Sequence, residues 1–289
     1  MQDGTIITPT TGIKLHYRSY GSESNPPLVL VHGLASTSRI WDYVAPVLAG
    51  TFWVVAYDQR GHAESEKPDT GYDLPTMLAD LEGLLEALKI ERPVLVGHSW
   101  GASLALAYAA MNPDNCAALV MVDGGITDFQ DIPGANWDTI KRELAPPDLS
   151  RYKLSDMVSR MSTGVLCHLP ESYLEKYARS MMDVQPDGTI RARLTREHHL
   201  EILHTMYDMR NSELFGELKC PVLAIQAVNG EPSSEREANF LRLKKLGAER
   251  LEKAVPGAKI VWMENTIHDI PLHKPEMLAR EILEFTSNA

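Results

Sequence analysis

A chain of 289 residues, 44% hydrophobic and 23% charged, can bury a large core, either as one domain with an insertion or as two modest domains. Its formal net charge of -11 leaves no cation excess for a nucleic-acid surface and disfavours strongly anionic substrates. Three scattered cysteines, Cys116, Cys167 and Cys220, exclude a disulfide framework and a zinc ribbon, and fit a reduced, cytoplasmic setting.

The first residues, "MQDGTIITPTTG", carry neither the basic nor the apolar part of an export signal, and no later apolar run is long enough to span a membrane. Short apolar runs predict strands near 4–8, 13–19, 28–32 and 52–57. A helix over 74–88 follows, with Leu78, Leu81, Leu85 and Leu88 at spacings of three and four, Asp73 as its cap and Pro75 in its first turn. Strand 93–97 runs into helix 100–111, which stops at Asn112-Pro113, and strand 118–122 comes next. "PLVLVH", "FWVVAY", "PVLVG" and "ALVMV" are continuously apolar, as strands covered on both faces must be.

The alternation lapses between about 126 and 216, where helical patches and prolines predict a mostly helical insertion with no good buried strand. It resumes with strand 221–227, helix 234–254, strand 258–263 and helix 275–286. The expected fold is α/β: a mostly parallel eight-stranded sheet with helices on both faces, made of 1–125 and 217–289. The insertion 126–216 would form a cap over the carboxyl edge, where ligands bind in such sheets. Met157, Met161, Met181, Met182, Met206 and Met209 lie in it with Trp137, Tyr173, Tyr177 and Tyr207; these form the cap's own core or line an adaptable apolar pocket.

In "VLVGHSWGAS", residues 94–103, Ser99 stands between two glycines at a strand-to-helix turn. The glycines serve close helix packing, or the turn is a nucleophile elbow that lifts a serine hydroxyl above the sheet. A serine needs a base to take its proton, and the base needs an orienting carboxylate. His268, between the last strand and the last helix, is the best-placed histidine; His273 reads as surface or packing. The backbone N–H groups of Leu34, after the strand ending in "LVHG", and of Trp100 would form an oxyanion hole.

Four segments, "VHGLAS", "YDQRGHAES", "GHSWGA" and the His268 loop, together resemble the α/β-hydrolase superfamily over nearly the whole chain. The resemblance implies a Ser–His–acid triad under a helical lid, with Asp58, Arg60 and Gly61 bracing a loop. Members usually carry the acid after the strand that follows the cap, where this chain reads "PVLAIQAVNGEPSS". That leaves Glu231, in a Pro/Ser-rich loop, or Asp123, at the strand end in "ALVMVDGG", as some members place it. Asp123 is preferred, because a strand end holds a side chain more rigidly and two glycines then let the chain turn away. "HSWG" also resembles the "HDWG" of haloalkane dehalogenases, but a serine cannot perform the aspartate's alkyl displacement, so dehalogenation and epoxide opening are disfavoured.

The expected activity is hydrolysis of an uncharged, moderately apolar carboxylic ester or lactone by Ser99, His268 and Asp123, needing no metal or organic cofactor. C–C bond or amide cleavage by the same triad is the enzymatic alternative, and a non-catalytic ligand-binding relative is the other. The expected partner is a small-molecule substrate, with no nucleic acid and no membrane, and the chain would be a monomer or a homodimer.

Overall fold

The computed structural model describes residues 1–288. Strands β1 (Gln2–Ile7), β2 (Lys14–Tyr20) and β3 (Pro27–Val31) precede helix α1 (Ala45–Leu48), and β4 (Trp53–Tyr57) leads to α2 (Leu74–Ala87). Next come β5 (Val94–His98), α3 (Trp100–Met111) and β6 (Ala118–Val122). Beyond β6 the chain forms α4 (Trp137–Leu144), α5 (Leu154–Thr163), α6 (Glu171–Met181), β7 (Met182–Val184), β8 (Ile190–Ala192), α7 (Arg196–Asp208) and α8 (Asn211–Leu214). It closes with β9 (Val222–Val228), α9 (Glu235–Ala254), β10 (Lys259–Glu264), α10 (Ile270–His273) and α11 (Pro275–Ser287).

Eight strands make one sheet in the order β1-β2-β4-β3-β5-β6-β9-β10. β2 runs antiparallel to β1 and β4, and every other pair is parallel. Successive side chains of a strand feed opposite faces. Val29 and Val31 of β3 join the core under α2, α3 and α9, while Leu28 and Leu30 join the one under α1 and α11. Both faces are therefore apolar, which is why these strands show no polar alternation in sequence.

Local chemistry sets the helix ends. Asp73 accepts the Thr76 backbone N–H at 2.9 Å, and Pro75 lies in the first turn of α2. Every residue of α3 from Trp100 to Ala110 is buried, so this helix has no amphipathic stripe. Its small side chains let it lie close on β5 and β6.

Between β6 and β9 no buried strand is expected; β7 and β8 pair there as a short, mostly exposed antiparallel hairpin. Each strand has only three residues, too few for an apolar period to register, and the turn signal Pro186-Asp187-Gly188 is the one trace in sequence. Gly188 takes a positive φ of 82° there. Met157, Met161, Met181, Met182, Tyr173 and Tyr177 of this segment pack into the apolar core that they share with α1 and α11. Among the described residues no helix is long and apolar enough to cross a membrane.

Candidate active site

The chain leaves β3 for β4 on one side and then crosses back to β5 on the other, so a crevice opens at their carboxyl ends. Leu34 follows β3, Ser99 follows β5, Asp123 follows β6 and His268 follows β10, all at that edge. Leu34, Ser99, Asp123 and His268 line a single cavity of about 1090 Å³.

Ser99 adopts φ 54° and ψ −122°, in the left-handed half of the map that a side chain normally avoids. Such a conformation costs on the order of 1–3 kcal/mol and persists only where packing imposes it. The glycines show how it is imposed. A Cβ on Gly97 would lie 2.2 Å from the Gly101 carbonyl oxygen, and one on Gly101 would lie 2.3 Å from that of Val31. On Gly33 it would fall 2.9 Å from the Ser99 Cβ. Close packing and a half-buried serine that lines the cavity are thus one arrangement, in which the glycines let strand, turn and neighbouring loop approach.

Trp100 opens α3, where backbone N–H groups have no intrahelical acceptor. Among the described residues neither its N–H nor that of Leu34 donates to another backbone or side-chain group. The loop bearing Leu34 is tied down from behind. The Ala35 N–H donates to His62 Nε2 at 3.3 Å, and His62 Nδ1–H donates to the Arg60 carbonyl at 2.8 Å. Burial, with the charge of His32, drives His62 down to about 3, so it stays neutral. Gln59 donates to the His32 carbonyl at 2.5 Å and accepts the Trp100 indole N–H at 3.1 Å. The indole is fully buried in the core, away from the cavity lining. Asp58 accepts the Ser38 N–H at 2.7 Å, and Arg60 forks onto Asp80 at 2.5 and 2.7 Å. Both hold loops rather than line the cavity.

His268 Nδ1–H donates to Asp123 Oδ2 at 2.7 Å. That bond fixes the tautomer with the lone pair on Nε2. Asp123 Oδ1 accepts the Ala227 N–H at 2.8 Å and meets Lys244 Nζ at 2.6 Å. Burial alone would push the Asp123 carboxyl up, but the hydrogen bond and charge of His268, then those of Lys244, outweigh it and hold it below the ordinary carboxylate range. For His268 burial works against the proton; the hydrogen bond and charge of Asp123, with Asp269, prevail and raise it. Its side chain remains 56% exposed, so solvent screens part of that effect.

Behind the ring lies His98, centroid to centroid 4.8 Å away, whose Nε2–H donates to the His268 carbonyl at 2.9 Å. Burial and the nearby His268 depress His98 to about 4. Ser99 and His268 share the cavity, but among the described residues their side chains are not hydrogen-bonded to each other. Such contacts commonly tighten only when substrate is bound.

Glu231 is exposed in the loop along the cavity wall and pairs with neither His268 nor another described residue. His273 bonds Thr266 at 2.9 Å and stands against His168, outside the cavity. Phe129, Leu144, Leu203, Met206 and Phe240 give the cavity its apolar surface. Met206 is thus the one methionine of the segment that lines it. Sequence reasoning singled out neither Lys244 nor Gln59. Lys244 sits in a charged helix beside Lys245, and only the seating of α9 on the sheet tells the two apart.

A family model described as alpha/beta hydrolase fold matches residues 26–227. A soluble epoxide hydrolase from Corynebacterium sp. (strain C12) is 40% identical over 112 residues, which are 39% of this chain and 38% of that protein. A 2-(acetamidomethylene)succinate hydrolase from Mesorhizobium japonicum is 37% identical over 111 residues, 38% of this chain and 39% of that protein. The chain therefore spans well under half the length of these curated relatives. An enol-lactonase from Burkholderia xenovorans LB400 superposes with a TM-score of 0.70 at 19% identity, over 98% of this chain and 100% of that one, a likeness of fold.

Proposed function

The chain belongs to the alpha/beta hydrolase fold family, and from that premise we propose that it is a serine hydrolase of an uncharged, moderately apolar carboxylic ester or lactone. One observation carries this reading: the Asp123–His268 pair, joined at 2.7 Å, shares a cavity with the strained Ser99. His268 Nε2 takes the Ser99 proton as Oγ adds to the substrate carbonyl. The oxyanion formed accepts hydrogen bonds from the Leu34 and Trp100 N–H groups. His268 then protonates the leaving alcohol, and a water activated by the same imidazole releases the acid from the acyl-enzyme. Asp123 keeps the ring in the useful tautomer and offsets the imidazolium charge.

Residues 126–216 act as a lid in this scheme and supply the apolar wall that selects the substrate. An uncharged substrate suits a cavity whose inner cation, Lys244, is committed to Asp123. An epoxide suits it less. A serine that opened an epoxide would be left as an ether, which the same water cannot hydrolyse. The test is a panel of short p-nitrophenyl esters, lactones, aminoacyl amides, ring-cleavage diketones and epoxides, run with wild type and Ser99→Ala. Ester or lactone turnover lost in Ser99→Ala supports the reading. Equal turnover by the two proteins, or turnover of epoxides alone, contradicts it.

A further inference from the structure

The carboxylate of Asp123 holds two groups at once, and only one of them belongs to a proton relay. Its Oδ2 faces His268 Nδ1, while Oδ1 takes both the Ala227 N–H and the Lys244 ammonium. Lys244 Nζ also donates to the Ala227 carbonyl at 2.9 Å. Lys244, Asp123 and Ala227 therefore close a ring of polar contacts that pins the end of β9 to the end of β6. The Asp123 side chain is 1% exposed and that of Lys244 17%, so this pair is screened far less than a surface ion pair. Few polar alternatives are open to either group in that setting.

We propose that Lys244 is a positioning residue: its ammonium clamps Asp123 Oδ1, aims Oδ2 at His268, and so lets the imidazole act as a free base at lower pH than an unclamped Asp123 would allow. The inference deepens the serine-hydrolase reading and rests on it for its kinetic consequence. Two effects of the cation oppose each other. Holding the carboxylate in one rotamer favours catalysis by fixing the ring. Drawing off part of its negative charge weakens the attraction between Asp123 and a protonated His268.

The charged and titratable groups that face His268 are Asp123 from β6, Asp269 from the following loop, His98 from β5 and Lys244 from α9. Asp123 and Asp269 favour the imidazolium, whereas Lys244 opposes it. His98, neutral near pH 7, adds no charge there. Lys244 is thus the one cation set against two carboxylates, and removing it should leave His268 protonated over a wider range.

The experiment is the pH profile of kcat/KM for wild type, Lys244→Met and Lys244→Arg. Met keeps the stem and removes the charge; Arg restores the charge. Lys244→Met is expected to lose about threefold more activity at pH 5.5 than at pH 8.5, through an acid limb moved to higher pH. Lys244→Arg is expected to return that limb toward the wild-type position. NMR titration of the His268 ring in wild type and Lys244→Met reads the same shift without any substrate, and Lys244→Gln serves if Met fails to fold. An unmoved His268 titration overturns the inference while leaving the serine-hydrolase reading standing. A shifted titration in a protein whose ester turnover survives Ser99→Ala supports the clamp but overturns the reading.

Discussion

A Cβ on Gly124 would lie 2.3 Å from the Ser99 carbonyl oxygen and 2.7 Å from its Cα. The strand end that carries Asp123 therefore presses directly on the backbone of Ser99. Gly124→Ala must push one of them aside, and neither is a flexible side-chain tip. Overpacking of this kind costs about 1–3 kcal/mol, and a misplaced nucleophile about 100-fold in kcat/KM. Gly216, with no heavy atom within 4 Å of an added Cβ, is the control: Gly216→Ala should stay within about 0.5 kcal/mol of wild type. Thermal melts and ester kinetics on both variants check the contrast.

Trp100 serves through its backbone and its side chain separately. Trp100→Phe keeps the backbone N–H proposed for the oxyanion but strips Gln59 Oε1 of its indole donor, leaving a buried acceptor unpaired. Stability should fall by about 1–3 kcal/mol while kcat changes by no more than a few-fold. A kcat loss of 100-fold without loss of stability would mean that the indole itself acts on the substrate.

The choice between two acids is equally sharp. Asp123→Asn turns the acceptor at Oδ2 into a group that favours the wrong His268 tautomer, and kcat should fall by about 10⁴-fold. Glu231→Gln, in an exposed loop without a His268 contact, should keep the wild-type rate. The reverse ranking in single-turnover assays would assign the orienting acid to Glu231.

Buried histidines set the acid stability. Burial, the largest cause in each case, holds His98 and His199 near 4 and His62 near 3. A group whose folded value lies below its unfolded value near 6.5 adds stability that is present above 6.5 and is lost as pH falls toward the folded value. Tm should therefore decline between pH 6.5 and about 4, and His199→Gln should flatten part of the decline. A Tm unchanged across that interval would contradict the burial of these rings.

Much of this architecture is readable in the sequence. All eight strands of the main sheet leave a trace: the central β3, β4, β5, β6 and β9 as nearly unbroken apolar runs, because both their faces are covered, and β1, β2 and β10 as shorter, polar-interrupted ones. The meeting of Ser99, Asp123 and His268 at one sheet edge was legible too, since each residue follows a predicted strand. The hairpin β7–β8 was not, its three-residue strands being shorter than any period. Nor was the contact of Lys244 with Asp123: in "LRLKKLGAERLEK" it reads as one more solvated charge, and only the rotation of α9 turns it toward Asp123. Gln59 was hidden for a related reason, since a loop side chain that bridges a distant indole leaves no spacing pattern.

The reactivity of the serine at the end of β5 is the most direct test of the whole scheme. Folded wild-type protein is treated with a fluorophosphonate probe and the adduct mapped by mass spectrometry. A single, prompt adduct on Ser99, absent from Ser99→Ala and strongly slowed in His268→Ala, is the predicted result. Folded protein that stays unlabelled, or that labels at another serine at an equal rate, would contradict it.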